Sequence, residues 1–195
     1  MNTEFEISFI KIDKNDLRKK IKSLWWTIIQ NNYLMKRIVF HNPILKKSYL
    51  RVRDEGNRIT CTYKEISDWN LDISSVKELE TIVGDFDATV SIFKKLWLKQ
   101  KAYQESYRET WTINNEVFFM IDEWPWLKPF LEIEWISENI VKEYTKKLWF
   151  EYNEWLFWAV DEIYFKELSL PRDYINNLEV ITFENIPKAL KKAIC

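Results

Sequence analysis

The sequence predicts an α+β fold: an eight-stranded antiparallel β-barrel, forming a tunnel, with helices packed outside. Three observations carry this expectation. Eight segments alternate in polarity with the two-residue period of a strand. Three amphipathic helical segments interrupt them at wide intervals. On the strands the charged residues share one face and the apolar residues the other, although a small barrel ordinarily fills its interior with apolar side chains. Charges facing inward and apolar residues facing outward under helices make a barrel with a wet, charged lumen.

In chain order, the first strand covers 4–12 and leads to a helix opening at Asp13, with Leu17, Ile21 and Leu24 on one stripe. Strands follow at 33–41, 48–54, 58–66 and 76–84. A second helix opens near Asp85 and presents Val90, Phe93 and Leu96. Three more strands, at 101–112, 116–123 and 129–135, precede a third helix. Ser137 is its predicted N-cap, and Ile140 or Val141, Tyr144 and Leu148 form its apolar stripe. The barrel therefore occupies residues 1–150. Residues 151–195, rich in aromatics and broken at Leu170-Pro171, read as a helical and loop extension packed on it.

A unit repeats within this order: Glu4-Phe5-Glu6, Glu78-Leu79-Glu80 and Glu132-Ile133-Glu134 each precede a helix ending in Leu-Trp. Trp25, Trp97 and Trp149 thus stand just past helix ends, where the left-handed conformation favours glycine. Trp135 stands at a tight strand-to-helix bend. Composition sharpens the point, because the chain has 2 Gly against 11 Trp, whereas an average of about 7% predicts roughly 14 Gly. The expectation is that these Trp occupy native Gly positions through UGA codons decoded as Trp. The alternative is a natively aromatic-rich chain, and the codons decide between the two.

A formal net charge of −1 across 195 residues provides no bulk attraction for nucleic acid or an anionic membrane. Cys61 and Cys195 form no disulfide framework, and the acidic N-terminus does not read as a signal peptide. No apolar run approaches the roughly 18 residues of a membrane span. A cytoplasmic protein, monomeric or homodimeric, is expected. His41 and Cys61 read as surface and packing residues, and P-loop, zinc-ligand, nucleophile-elbow and dinucleotide motifs are absent.

Residues two apart on a strand share a face. "YLRVRDEG" therefore pairs Arg51 with Arg53, and "ITCTYKEIS" aligns Thr60, Thr62 and Lys64. The acidic pairs Glu4/Glu6, Glu78/Glu80 and Glu132/Glu134 lie on other strands, with Asp122 on a further one. Arg51, Arg53, Lys64 and Arg108 can neutralise a compact polyanion, since guanidinium forks match phosphate oxygens. The facing carboxylates would repel that anion unless they hold Mg2+ (or Mn2+), which prefers oxygen ligands. Segregated basic and acidic strands thus read as a site for a metal–triphosphate complex.

"EFEIS", "YLRVRDEG", "TYKE", "KELETIV", "YRETW", "IDEWP" and "FLEIE" occur in the order found in a known family. From Glu4 to about Phe150 the chain resembles the CYTH superfamily of triphosphate tunnel metalloenzymes, which includes class IV adenylyl cyclases, thiamine triphosphatases and inorganic triphosphatases. The resemblance implies that Glu4, Glu6, Asp122, Glu132 and Glu134 are metal ligands or lie beside them. It implies that Arg51, Arg53, Lys64 and Arg108 hold the triphosphate, while Glu78 and Glu80 line the tunnel or bind cation. Lys64 and Arg108 are the candidate catalytic residues. Members tend to have Gly where Trp25, Trp97, Trp135 and Trp149 stand.

One departure concerns activity. The N-terminal signature usually reads Glu-x-Glu-x-Lys, and here Ser8 takes the Lys position. Lys36 or Arg37 is placed to compensate, and Arg37 joins the candidate substrate-binding set. The expected function is divalent-metal-dependent hydrolysis of a small-molecule triphosphate, whether inorganic, thiamine or nucleoside. One alternative is a class IV adenylyl cyclase forming cyclic AMP and pyrophosphate from ATP. The other, motivated by Ser8, is a non-catalytic polyphosphate- or nucleotide-binding domain.

Overall fold

The computed structural model describes residues 1–24, 26–45, 47–66, 76–113, 115, 117–135, 137–151, 156, 160–187 and 190, without the side chains of Asn2 and Glu4. Its strands are β1 (Asn2–Phe9), β2 (Thr27–His41), β3 (Ser48–Asp54), β4 (Ile59–Ile66), β5 (Val76–Val83), β6 (Gln100–Ile113), β7 (Val117–Glu123), β8 (Phe130–Trp135) and β9 (Val180–Ile181). Its helices are α1 (Lys14–Ser23), α2 (Phe86–Lys95), α3 (Glu138–Lys147), α4 (Val160–Leu168) and α5 (Arg172–Asn176).

The first eight strands pair in the order β2-β3-β4-β5-β1-β8-β7-β6, and β6 pairs back with β2. Every pairing in this ring is antiparallel. The predicted barrel is therefore present. The main departure in strand limits is β2, which starts at Thr27 rather than 33. Its extra length runs along β6 through register shifts between Ile28 and Gln30 and between Gln30 and Tyr33. Bulges disturb strict alternation, so that part of the strand carries no clean two-residue period.

Alternation sets the layers. Odd residues of β1, β7 and β8, among them Ile7, Phe9, Phe119, Ile121, Leu131 and Ile133, face outward into a core with Leu17 and Ile21 of α1 and Val141 of α3. Each such buried apolar side chain contributes about 1.5–3 kcal/mol. On the other flank Ile38, Phe40 and Val52 pack with Val90 of α2. The apolar core thus lies outside the ring, and the even residues of β1 and β4 to β8, with the odd residues of β2 and β3, face the lumen.

Asp13 caps α1 by accepting from the Asn15 and Asp16 amides at 2.9 Å, and Asp85 caps α2 by accepting from Ala88. Ser137 takes the N-cap place of α3 with no side-chain cap bond. The extension packs against the barrel. Ile163 and Tyr164 of α4 join Leu156, Leu170, Ile175 and Ile181 around Trp124 and Phe130, and β9 runs parallel to β6 at Tyr103 and Gln104. Leu156 exchanges two backbone hydrogen bonds with Ser8, at 2.9 and 3.0 Å. No helix among the described residues is long and apolar enough to cross a membrane.

The tryptophans divide. Trp97 and Trp149 adopt φ of 65° and 60°. Trp135 does not share this feature: it closes β8 in regular extended conformation and packs against the outer core. The expectation of a glycine conformation is corrected at that position, because Trp135 belongs to β8 and its φ is not positive. Trp126, which the sequence pattern did not mark, has φ 68°. Trp25 lies outside the described residues.

Candidate active site

The ring order gathers the three Glu-x-Glu strands, because β5, β1 and β8 are neighbours. Glu6 stands opposite Glu134, and Ser8 opposite Glu132. Adjacent β7 adds Asp122, which is 1% exposed. On the other side, β2, β3 and β4 supply the cations. Arg37 is in register with Arg53, Arg51 with Thr62, and Lys64 with Glu78. Opposed acidic and basic walls follow from strand order and parity alone.

Arg37, Arg51 and Arg53 are all buried. Arg37 faces the lumen while Lys36 is exposed, which settles which of the two points inward. Arg37 donates from Nη2 to the Ser106 hydroxyl, and its guanidinium lies 4.5 Å from the Trp124 ring centroid. Burial, reinforced by Arg53, Arg51 and Arg108, brings Arg37 well below the ordinary arginine range. Burial and Arg51 likewise lower Arg53, although Glu55 is hydrogen-bonded to its Nε at 2.7 Å. Arg51 Nη2 donates to Thr62 Oγ1 at 3.4 Å. Such crowding of like charge favours an anion.

Arg108 spans to the acidic side. Its Nε reaches Asp122 Oδ1 at 2.7 Å, and its Nη2 lies 2.5 Å from both Asp122 Oδ2 and Glu132 Oε2. Burial alone would lower the Arg108 pKa, but Asp122 and Glu132 carry it well above the ordinary value. Glu132 moves the other way: burial, then Glu6 and Asp122, push its carboxyl well above the usual range despite Arg108. Crowded carboxylates of this kind favour a cation.

Lys64 Nζ is 2.8 Å from Glu78 Oε2. Glu78 stays below the usual carboxylate range because Lys64 and Arg51 outweigh its burial. Glu80 accepts from Thr62 Oγ1 at 2.9 Å. The Glu4 side chain lies outside the described residues. Among the described residues no three His, Cys, Asp or Glu side chains are grouped to hold a metal ion, and Arg108 occupies the oxygens of Asp122 and Glu132. The donor set nevertheless suits Mg2+ or Mn2+ in its chemistry, being all carboxylate oxygen, and a cation would relieve the repulsion that raises Glu132.

The sequence reading missed several lumen residues. Ser106 and Trp124 share strand parity with Arg108 and Asp122, two positions away, and that parity was the available signal. Glu55 lies in the β3–β4 turn, where parity gives no guidance. It is held by Arg53, by Arg58 at 2.8 Å and by Thr60 at 3.0 Å. His41 is exposed, and Cys61 is a half-buried free thiol.

A family model described as CYTH domain matches residues 40–163. No curated protein matches the chain significantly. Among solved structures, the PH1012 protein of Pyrococcus horikoshii OT3 is 25% identical, with a TM-score of 0.67 over 82% of this chain and 98% of that one. A candidate adenylate cyclase of Vibrio parahaemolyticus is 11% identical, with a TM-score of 0.70 over 83% and 97% of the two chains. HpAC1 from Hippeastrum, a protein described with a dominant triphosphatase activity, is 14% identical, with a TM-score of 0.56 over 89% and 99%. The last two likenesses concern fold alone.

Proposed function

The chain belongs to the CYTH family, and from that membership and the opposed walls of its lumen we propose that it binds a triphosphate with a divalent cation inside the barrel and hydrolyses it. The observation that carries this reading is the burial of Arg37, Arg51 and Arg53 in one lumen with the half-buried Arg108, close enough that Arg37 is depressed by the other three.

Arg51, Arg53 and Arg37 grip non-bridging phosphate oxygens and fix the chain for in-line attack. Lys64 and Arg108 exchange their carboxylate partners for phosphate oxygens and offset the charge that develops on the leaving phosphate. Glu6, Asp122, Glu132 and Glu134 hold the cation, with Glu4 joining them by family resemblance. When bound, Mg2+ or Mn2+ supplies Lewis-acid neutralisation and orientation of phosphate oxygens. In the reaction a water oxygen bonds to the terminal phosphorus while the bridging P–O bond breaks; the bridging oxygen leaves with the shortened phosphate, and the proton lost by the water goes to the phosphate products or the solvent.

Ser8 favours a second reading, a triphosphate-binding domain without turnover, because it places no cation beside the reacting phosphate. A single set of incubations separates the possibilities. The protein is mixed with Mg2+ or Mn2+ and with tripolyphosphate, thiamine triphosphate or ATP, and orthophosphate, pyrophosphate and cyclic AMP are measured. Cation-dependent orthophosphate release is expected. Cyclic AMP with pyrophosphate would make it a cyclase, binding without products would support the second reading, and no binding to any of the three would overturn both.

A further inference from the structure

The bulged start of β2 grips a neighbouring turn. Strict alternation would send Gln30 and Tyr33, three residues apart, to opposite faces, but the register against β6 shifts between them and re-aims the side chains. Both reach the β3–β4 turn. Gln30 Nε2 donates to the Glu55 carbonyl. The Tyr33 ring covers Gly56, whose φ is 86°. A Cβ at residue 56 would lie 2.6 Å from Tyr33 Cζ and 2.7 Å from both Cε atoms. Glycine there serves a left-handed turn and a close approach at once.

The turn passes that hold on to a side chain of the lumen. Its Glu55 carboxylate, buried, accepts from Arg53 Nε at 2.7 Å and from Thr60 Oγ1 at 3.0 Å, and lies 2.5 Å from Arg53 Nη2. Arg53 needs a fixed partner, because Arg51 and Arg108 repel it. A guanidinium set in place before an anion arrives loses less freedom when the anion binds. Tyr33 itself stays 37% exposed, so its ring adds little to either apolar core, and what its position secures is the turn.

We propose that Gln30 and Tyr33 are positioning residues for the anion grip: they clamp the β3–β4 turn, and the turn, through the Glu55 carboxylate, aims Arg53 into the lumen. Their effect on a ligand passes through Glu55 and not through contact of their own. The consequence for affinity rests on the triphosphate reading above, whereas the clamp is a property of the unliganded protein.

The test uses the full chain in two arms. In the first, tripolyphosphate with Mg2+ is titrated calorimetrically into the wild type, Gln30→Ala, Tyr33→Ala, Tyr33→Phe, Glu55→Gln and the double variant Tyr33→Ala/Glu55→Gln. Gln30→Ala and Tyr33→Ala should each weaken binding by about 3- to 10-fold, and Tyr33→Phe, which keeps the ring over Gly56, by less than about twofold. Once Glu55 is replaced, Tyr33→Ala should add less than about twofold, because the pair acts as one chain. An equal loss from Tyr33→Ala with and without Glu55, or no loss from either Gln30→Ala or Tyr33→Ala, overturns the proposal and leaves the triphosphate reading intact. In the second arm, solvent exchange of the Arg53 Nε proton is followed by NMR without ligand. Gln30→Ala and Tyr33→Ala should speed it by about 3- to 10-fold, in step with the weakened Glu55 contact; unchanged exchange in both overturns the clamp. If the wild type binds no tripolyphosphate, the triphosphate reading falls and the exchange arm alone decides the clamp. Gln30→Ala, which removes one hydrogen bond from a half-buried side chain, keeps both arms decisive if Tyr33→Ala fails to fold.

Discussion

Arg108 and Asp122 form a two-point clasp, Nε to Oδ1 at 2.7 Å and Nη2 to Oδ2 at 2.5 Å, in a lumen where Asp122 is sealed from solvent. The same Nη2 also holds Glu132. One cation thus neutralises parts of two carboxylates that the proposed function gives to a metal. Arg108→Met should leave both uncompensated and cost about 3–5 kcal/mol of unfolding free energy, read from urea denaturation without ligand. Mn2+ binding in the absence of phosphate, followed by electron paramagnetic resonance, should tighten because the carboxylate oxygens are released. Weaker Mn2+ binding by the folded variant would refute this account of the clasp.

Glu132 gives a pH dependence whose sign can be stated. Its carboxyl is raised in the folded protein by burial, Glu6 and Asp122, so the folded state holds its proton more tightly than the unfolded chain. That contribution is complete below the ordinary Glu range, near 4.5, and is lost as pH rises through the raised folded value. Glu132→Gln should flatten the corresponding fall in stability and leave the unliganded protein about 1 kcal/mol more stable at neutral pH, while triphosphate turnover drops to background. Denaturation across a pH series checks the slope, and an unchanged slope would count against the crowding of these carboxylates.

Glu55 has the opposite sign. Burial would raise it, but Arg53 and Arg58 outweigh burial and bring it down to about 2. Its contribution is present above about 4.5 and is lost as pH falls toward about 2. Glu55→Gln should cost about 3 kcal/mol at neutral pH and nothing below pH 2, so the two stability curves converge in acid. Parallel curves would show that Glu55 acts through packing rather than charge. Because Glu55 holds Arg53 and Thr60 together, a weaker affinity for triphosphate should accompany the loss.

Ser8 faces Glu132 across β1 and β8 and is fully buried. A Lys there would place an ammonium beside the raised carboxyl and within the reacting region. Ser8→Lys should lower the apparent pKa of Glu132 and raise orthophosphate release by about tenfold or more, in the range one positioned charge supplies. If turnover is unchanged and the protein is folded, some other cation, with Arg37 the candidate, already fills the role.

Much of this was legible in the sequence because a barrel strand advertises both faces. "LRVR" fixes Leu50 and Val52 on one side and Arg51 and Arg53 on the other, wherever the strand sits. Strand order was not legible: nothing local says that Glu6 meets Glu134, since that pairing joins segments far apart in the chain. Arg37 and Lys36 could not be separated because the β-bulges of β2 shift its phase. The cluster over Trp124 escaped as well, because aromatics in the extension read as packing in any fold and only the tertiary arrangement brings Tyr164 into one apolar cluster with Trp124.

The helix ends supply the last prediction. Past α2, Trp97 donates to the Lys94 carbonyl and Leu98 to Phe93, at 3.1 Å each. Past α3, Trp149 donates to Lys146 at 2.9 Å and Phe150 to Thr145 at 3.2 Å. Both are the paired hydrogen bonds of a Schellman motif, whose left-handed residue is usually glycine. Here it is an indole, 93% exposed at Trp97 and 67% at Trp149, so the bulky side chain gains little packing against a backbone strain of roughly 1–2 kcal/mol. Trp97→Gly and Trp149→Gly should each raise the Tm by about 2–4 °C per kcal/mol recovered. Trp126→Gly should recover no such net gain, although its φ is 68°, because its ring packs in the C-terminal cluster 6.1 Å from Tyr164. The gene should carry UGA at Trp97 and Trp149; UGG at both, together with unchanged or lowered Tm in the Gly variants, would establish tryptophan as the native residue.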